Sequence, residues 1–192
     1  MKSYTLYPDI VYEGSLSLTQ DIEQMLTGSI LEEYESGKTI ETQFGWTTDR
    51  FLPLNPVLQK LQQLLLQNFY QDVVKHVPQM PKMKVELARP HIISIKPGHA
   101  ISSDFNHRRW YTGCLWLQTT NKGSHVVLDP QQGKTYSVPD GIMDTEHYIT
   151  PKKFKYAFWP AHIYGGYTPN LSLTDTIMLE FTFTGGLPGT KA

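Results

Sequence analysis

Chemistry in this chain would have to come from its histidines, its acids or a single thiol. Seven histidines are spread over 192 residues. His91, His99 and His125 fall in strand-like runs or turns, where a satisfied structural imidazole is the expected state. Cys114 is the sole cysteine. It sits inside Thr112-Gly113-Cys114-Leu115-Trp116, so burial as a small apolar residue is expected over use as a nucleophile. No Walker loop, Rossmann glycine pattern or zinc-type Cys/His spacing occurs, and Gly185-Gly186 lacks the helix that would cradle a phosphate. Asp104, Asn106 and His107 stand close together in sequence. Glu180 lies in a β-rich run in which Ile177, Leu179, Phe181 and Phe183 alternate with Met178, Glu180 and Thr182. That period places Glu180 on the same face as Thr176, projecting towards an interior.

Composition limits what these groups can belong to. With 40% hydrophobic and 12% aromatic residues, 192 residues bury one sizeable core, and a single domain over 1–192 is expected. The 17 basic and 18 acidic residues are well mixed and give a net charge of −1, with a pI near 6.6. The electrostatic footprint of a dedicated nucleic-acid binder is missing; Arg108-Arg109-Trp110 reads as a solvated loop tip. One cysteine excludes an intrachain disulfide. The N-terminus lacks the apolar run of a signal peptide, and nowhere do the roughly 18 apolar residues of a membrane span run together. The expectation is a soluble chain made in the cytoplasm and not exported through a signal peptide.

Two helices precede a β-rich region. The first starts at Ser17 or Thr19, carries Ile22, Met25, Leu26, Ile30, Leu31 and Tyr34 on one stripe, and ends at Gly37. The second is capped by Asn55, has Pro56 at its first position, repeats Leu58, Leu61, Leu65 and Phe69, and is closed by Pro78 and Pro81. Together they give a helical support over 17–78. From Met83 onward short runs follow at 84–87, 91–95, 111–118, 125–128, 155–159 and 176–183. An antiparallel jelly roll over 83–184 is expected, with its main long loop from Asp129 to Thr150 and a flexible tail at 185–192.

Several segments within that order resemble the phage-type branch of the Fe(II)/2-oxoglutarate oxygenases, over nearly the whole chain. Gln43-Phe44-Gly45-Trp46-Thr47-Thr48 is similar to the segment before the family's second helix, and Leu128-Asp129-Pro130 to its Asp-Pro turn. Phe158-Trp159-Pro160 resembles the lead into its late metal strand, which a proline opens and Pro169-Asn170 closes. The resemblance implies an α+β, mainly β fold: a double-stranded β-helix of about eight antiparallel strands with two N-terminal helices on one sheet. It also implies Fe(II) held by two histidines and a carboxylate, with open positions for cosubstrate and oxygen.

The positions that carry that chemistry in the family are changed here. Gly98 and Thr112-Gly113-Cys114-Leu115-Trp116 anchor the early metal segment and place its ligand pair on Asp104 and Asn106. The late histidine falls on Gly165, and the arginine that would fork onto the cosubstrate carboxylate falls on Thr176. A rescued site would have to use Asp104, His107 and His162; on a regular strand His162 points away from the face of Gly165.

No catalytic, cofactor-binding or metal-ligating residue is therefore expected. The reading is a catalytically inactive oxygenase-fold protein, a structural or protein-binding module and a phage virion or virion-assembly component. Sheet edges and an aromatic surface around Trp46, Trp110 and Trp159 would meet protein partners, other virion proteins or further copies of the chain, with no nucleic acid and no membrane. The alternative is an active hydroxylase using Fe(II) and 2-oxoglutarate at a rearranged site. A third reading is a jelly roll that binds a sugar or small ligand beside Thr176 and Glu180.

Overall fold

The computed structural model describes residues 11–36, 39–48, 56–76, 84–104, 110–129 and 146–186. Among them are helices α1 (Gln20–Glu35) and α2 (Pro56–Asp72) and the strands β1 (Tyr12–Ser15), β2 (Thr39–Thr42), β3 (Gly45–Thr48), β4 (Lys84–Ile95), β5 (Ile101–Asp104), β6 (Tyr111–Gln118), β7 (Val126–Asp129), β8 (His147–Ile149), β9 (Lys155–Pro160), β10 (Tyr164–Tyr167) and β11 (Thr176–Gly186). Two antiparallel sheets result, one in the order β1-β9-β6-β11-β4-β3-β2 and one in the order β5-β10-β7-β8. The eight strands from β4 to β11 form a double-stranded β-helix. β1, β2 and β3 widen its larger sheet.

The helices lie where their apolar periods require. Leu58, Leu61, Leu65 and Phe69 of α2 recur every three or four residues, and all are buried against the larger sheet. Each such side chain contributes about 1.5–3 kcal/mol through burial. Phe69 stacks on Phe183 at 3.8 Å and meets the edges of Trp110, Tyr111 and Phe158. α1 contributes less: Leu26 and Ile30 are buried, whereas Met25 and Tyr34, expected on the same stripe, are 58% and 45% exposed. Ser29 is buried beside them. Tyr34 still packs against the Trp46 ring, 5.2 Å away.

Several boundaries differ from expectation for identifiable reasons. The 17–78 segment is not all helical, because the β2–β3 hairpin lies inside it and pairs with β4. Gly45 makes that pairing possible, since a Cβ there would lie 2.1 Å from the Ser94 carbonyl oxygen. α2 stops at Asp72 and passes into a 3-10 turn at Val74–His76; Pro78, Pro81, Asn55 and Gly37 lie outside the described residues. The runs at 84–87 and 91–95 are one strand. The step from Thr182 to Glu180 on β11 faces the longer step from Ala88 to His91 on β4, and this bulge accommodates Pro90, which has no N–H to donate. The stretch from Asp129 to Thr150, expected as loop, contains β8 paired with β7. Gly185 and Gly186, expected in a tail, pair with Val85 and Lys84.

A polar contact fixes α2 to the sheet below it. The Tyr156 hydroxyl donates to Asp72 Oδ2 at 3.1 Å, and burial, aided by the Asp72 charge, pushes the phenol up to about 12. The folded value lies above the unfolded one, so the contribution is complete below pH 10 and is lost as pH rises towards 12. Tyr156→Phe should cost roughly 1 kcal/mol at neutral pH. In denaturant titrations the gap between variant and parent should narrow above pH 10.

Candidate functional site

The two sheets enclose a second core. Ile93, Ile95, Cys114, Trp116, Val126, Leu128, Ile149, Ala157, Trp159, Ile163, Tyr167 and Met178 are all buried there. Strand alternation separates this inward face from the helix-facing one: on β11, Met178 turns inward, while Leu179, Phe181 and Phe183 face the helices.

Gly165, on β10, is opposite Asp104 of β5 and Leu128 of β7. Thus two of the positions singled out in the sequence are cross-strand neighbours. What lies inside them is the Trp159 indole. A Cβ built on Gly165 would stand 2.9 Å from Trp159 Nε1 and 3.2 Å from a Leu128 methyl group. The space into which a side chain at 165 would project is therefore filled from β9. Trp159 is 3% exposed.

Thr176 begins β11 and is fully buried. Its hydroxyl accepts the Ser124 N–H at 3.2 Å, and a Cβ on Gly123 would come within 2.7 Å of it. The turn at 123–124 thus closes over Thr176, and an arginine at that place would have to displace it. Ser124 Oγ is buried without a hydrogen-bond partner among the described residues.

Glu180 does project inward, as its period required. The Tyr167 hydroxyl donates to Glu180 Oε2 at 3.1 Å, which links β10 of one sheet to β11 of the other. Cys114 and His91 flank Glu180 on the two neighbouring strands. Burial, with the nearby Glu180 charge, pushes the Cys114 thiol and the Tyr167 phenol well above their ordinary ranges. At neutral pH both groups hold their protons, so Cys114 is a packing residue and no nucleophile. Sequence reasoning singled out Glu180 but missed Tyr167. The signal was available, since Tyr167 and Gly165 share strand parity.

His162 does not belong to a strand. β9 ends at Pro160 and β10 begins at Tyr164, so the segment from Pro160 to Asn170 is a strand end, a turn, a short strand and a loop. His162 lies exposed in that turn, held by the Ala161 N–H to the Trp110 carbonyl and the Ile163 N–H to the Pro160 carbonyl. The expected proline-opened strand is corrected accordingly. Asn106 and His107 lie outside the described residues, as do Arg108 and Arg109. The expected aromatic surface is also corrected: Trp46 and Trp159 are buried at 5% and 3% exposure, and Trp110 packs against Phe69 and Tyr111. Trp110 remains half-buried.

No family model matches this chain, and no curated protein matches it in sequence. Solved structures do match in shape. A non-heme alpha ketoglutarate dependent epimerase, SnoN from nogalamycin biosynthesis, aligns with a TM-score of 0.68 at 9% identity, over 96% of this chain and 85% of its own. A prolyl-4-hydroxylase from Pseudomonas putida aligns at 0.62 and 12% identity, over 92% of both chains. A prolyl hydroxylase from Trichoplax adhaerens, in complex with a hypoxia inducible factor oxygen degradation domain peptide fragment, aligns at 0.64 and 9% identity, over 91% of this chain and 83% of its own. The fold is that of the Fe(II)/2-oxoglutarate oxygenases.

Within the oxygenase fold, Gly165 and Thr176 do not suit the group that fold implies. Gly165 offers no ligand atom and has the Trp159 indole against it. Thr176 offers a hydroxyl already bonded to the Ser124 amide. A dicarboxylate entering the barrel would meet Glu180, a carboxylate held by the Tyr167 hydroxyl, and like charges repel. No helix among the described residues is long and apolar enough to cross a membrane.

Proposed function

We propose that this chain is a non-catalytic protein of the oxygenase fold, kept as a structural or protein-binding module and serving as a phage virion or virion-assembly component. One observation carries the first part: the inward space at Gly165 is packed with the Trp159 indole, so the barrel centre is a core in place of a reaction chamber. The virion role is supported by the likeness of the Gln43–Thr48, Leu128–Pro130 and Phe158–Asn170 segments to the phage branch. With Trp46 and Trp159 buried, protein contacts fall to the edges of the described sheets, β1 and β2 on the larger and β5 and β8 on the smaller. A sheet edge can accept a partner strand through its backbone groups.

The chemical part is tested by adding Fe(II), 2-oxoglutarate and oxygen to the purified protein and measuring succinate. None above the protein-free rate is expected; stoichiometric or catalytic succinate would overturn the proposal in favour of a rearranged hydroxylase. The virion part predicts the chain in purified particles at a fixed copy number. Its confinement to the lysate of infected cells would count against that role.

A further inference from the structure

We propose that the barrel end built around the loop 168–175 is a self-association surface, on which a second copy of this chain covers Leu171 and Leu173 across a two-fold axis. The contact is separate from the sheet edges and does not depend on the non-catalytic reading. Three loops meet at this end, those following β4, β6 and β10, and all of their residues are described. The Gly98 N–H donates to the Asn170 carbonyl at 2.7 Å, the Asn170 N–H to the His99 carbonyl at 2.9 Å, and the Leu171 N–H to the Lys122 carbonyl at 2.9 Å.

The loop inverts the usual placement of polar and apolar side chains. Asn170 and Ser172 are 0% and 8% exposed, whereas Leu171 and Leu173 are 74% and 98% exposed. Hydrogen bonds fix the inversion: the Asn170 amide donates to the Ile95 and Thr174 carbonyls, and the Ser172 hydroxyl lies 2.7 Å from Asn170 Oδ1 and 2.6 Å from the Thr174 carbonyl. Turning the leucines inward would break these bonds. A segment ordered before contact loses little further freedom on association, so the pair is preorganised for a partner.

Charge and area select that partner. The ionisable groups on the three loops are Lys96, Lys122 and Asp175 with His99 and His125, and Glu41 of β2 approaches Lys96 at 3.5 Å. Lysines and carboxylates are balanced, so an anionic lipid or a partner of one sign gains little net attraction. Two leucines also hold less apolar carbon than one myristoyl chain, which alone binds a bilayer only marginally. A second copy offers both signs, and a two-fold axis through the leucines can set Lys122 of each copy towards the acids of the other. The leucines by themselves cover less than the roughly 800 Å² per partner of a stable interface. The exposed segments 96–100 and 120–122 lie beside them and extend the contact.

Sedimentation equilibrium over a concentration series tests this. The parent should pass from monomer to dimer, and Leu173→Asp should raise the dissociation constant at least about tenfold, the scale of uncovering one leucine. Leu171→Asp should act in the same direction. Both variants should keep the parent's thermal midpoint under dilute, monomeric conditions, because both side chains are exposed. Ile40→Asp, at an exposed position of the edge strand β2, should leave the dimer unchanged. A parent that stays monomeric throughout, or a dimer that both loop variants leave intact, would overturn the inference. Binding of a monomeric parent to phosphatidylcholine–phosphatidylglycerol vesicles, lost in Leu173→Asp, would overturn it in favour of a lipid surface. Dimerisation weakened by Ile40→Asp alone would overturn it in favour of the sheet edge.

Discussion

Gly165→His, which supplies the imidazole that the resemblance calls for, should destabilise the protein by about 3 kcal/mol and bind no iron. The new Cβ alone would be 2.9 Å from Trp159 Nε1, and overpacking a filled core typically costs about 1–3 kcal/mol before the ring itself is placed. Trp159→Ala should cost about 3–5 kcal/mol, because a buried indole leaves a cavity that neighbours only partly fill. The two residues compete for one volume, so their effects should not add. The double variant should be more stable than the sum of the single losses by at least about 1 kcal/mol, within the range found for touching residues. Urea denaturation of the four proteins gives the coupling directly. Strict additivity would mean that the indole does not occupy the position where the side chain of residue 165 projects.

Asn170→Ala should cost about 3 kcal/mol, or roughly 6–12 °C in Tm for a chain of this length. Asn170 is fully buried. Its amide donates to the Ile95 carbonyl at 2.8 Å and the Thr174 carbonyl at 2.9 Å, and its oxygen accepts from the Ser172 N–H and hydroxyl at 3.1 and 2.7 Å. Its backbone accepts from Gly98 at 2.7 Å. Its side chain thus fastens the end of β4 to the loop into β11, and its backbone holds the turn into β5. Alanine would take a partner from the buried Ile95 carbonyl and from the Ser172 N–H, while the Ser172 hydroxyl could still donate to the Thr174 carbonyl at 2.6 Å. Asn170→Asp keeps the shape but turns a carboxylate towards two carbonyls, which raises its folded pKa above the unfolded value. Its penalty should therefore be full at neutral pH and shrink as pH falls through the folded pKa, measurable as a pH-dependent difference in Tm from the parent. Small losses in both variants would show that the loop is held by other contacts.

The parts legible in the sequence were those dictated by local period. Leu58, Leu61, Leu65 and Phe69 specify the buried face of α2 unaided, and the alternation from Ile177 to Phe183 specifies both which residues of β11 face the helices and that Glu180 turns inward. The strands that escaped, β1, β2, β3, β5 and β8, are three or four residues long and lie at or next to sheet edges, where pairing partners rather than their own residues determine conformation. Counting found Gly165 and its relation to Asp104, because a strand register preserves sequence distance. It could not find what fills the space at Gly165. Trp159 precedes Gly165 by a turn that reverses the chain from one sheet to the other, and only the folded path brings its ring inward. The same fact removed Trp159 from the expected contact surface.

The central claim is that the centre of this barrel is packed core and holds no iron. Anaerobic equilibrium dialysis of the purified chain against Fe(II), with and without 2-oxoglutarate, followed by metal analysis and absorbance, tests it most directly. The account predicts far less than one iron per chain in both arms and no charge-transfer band when the cosubstrate is added. One iron per chain, with a band that appears only with 2-oxoglutarate, would contradict it.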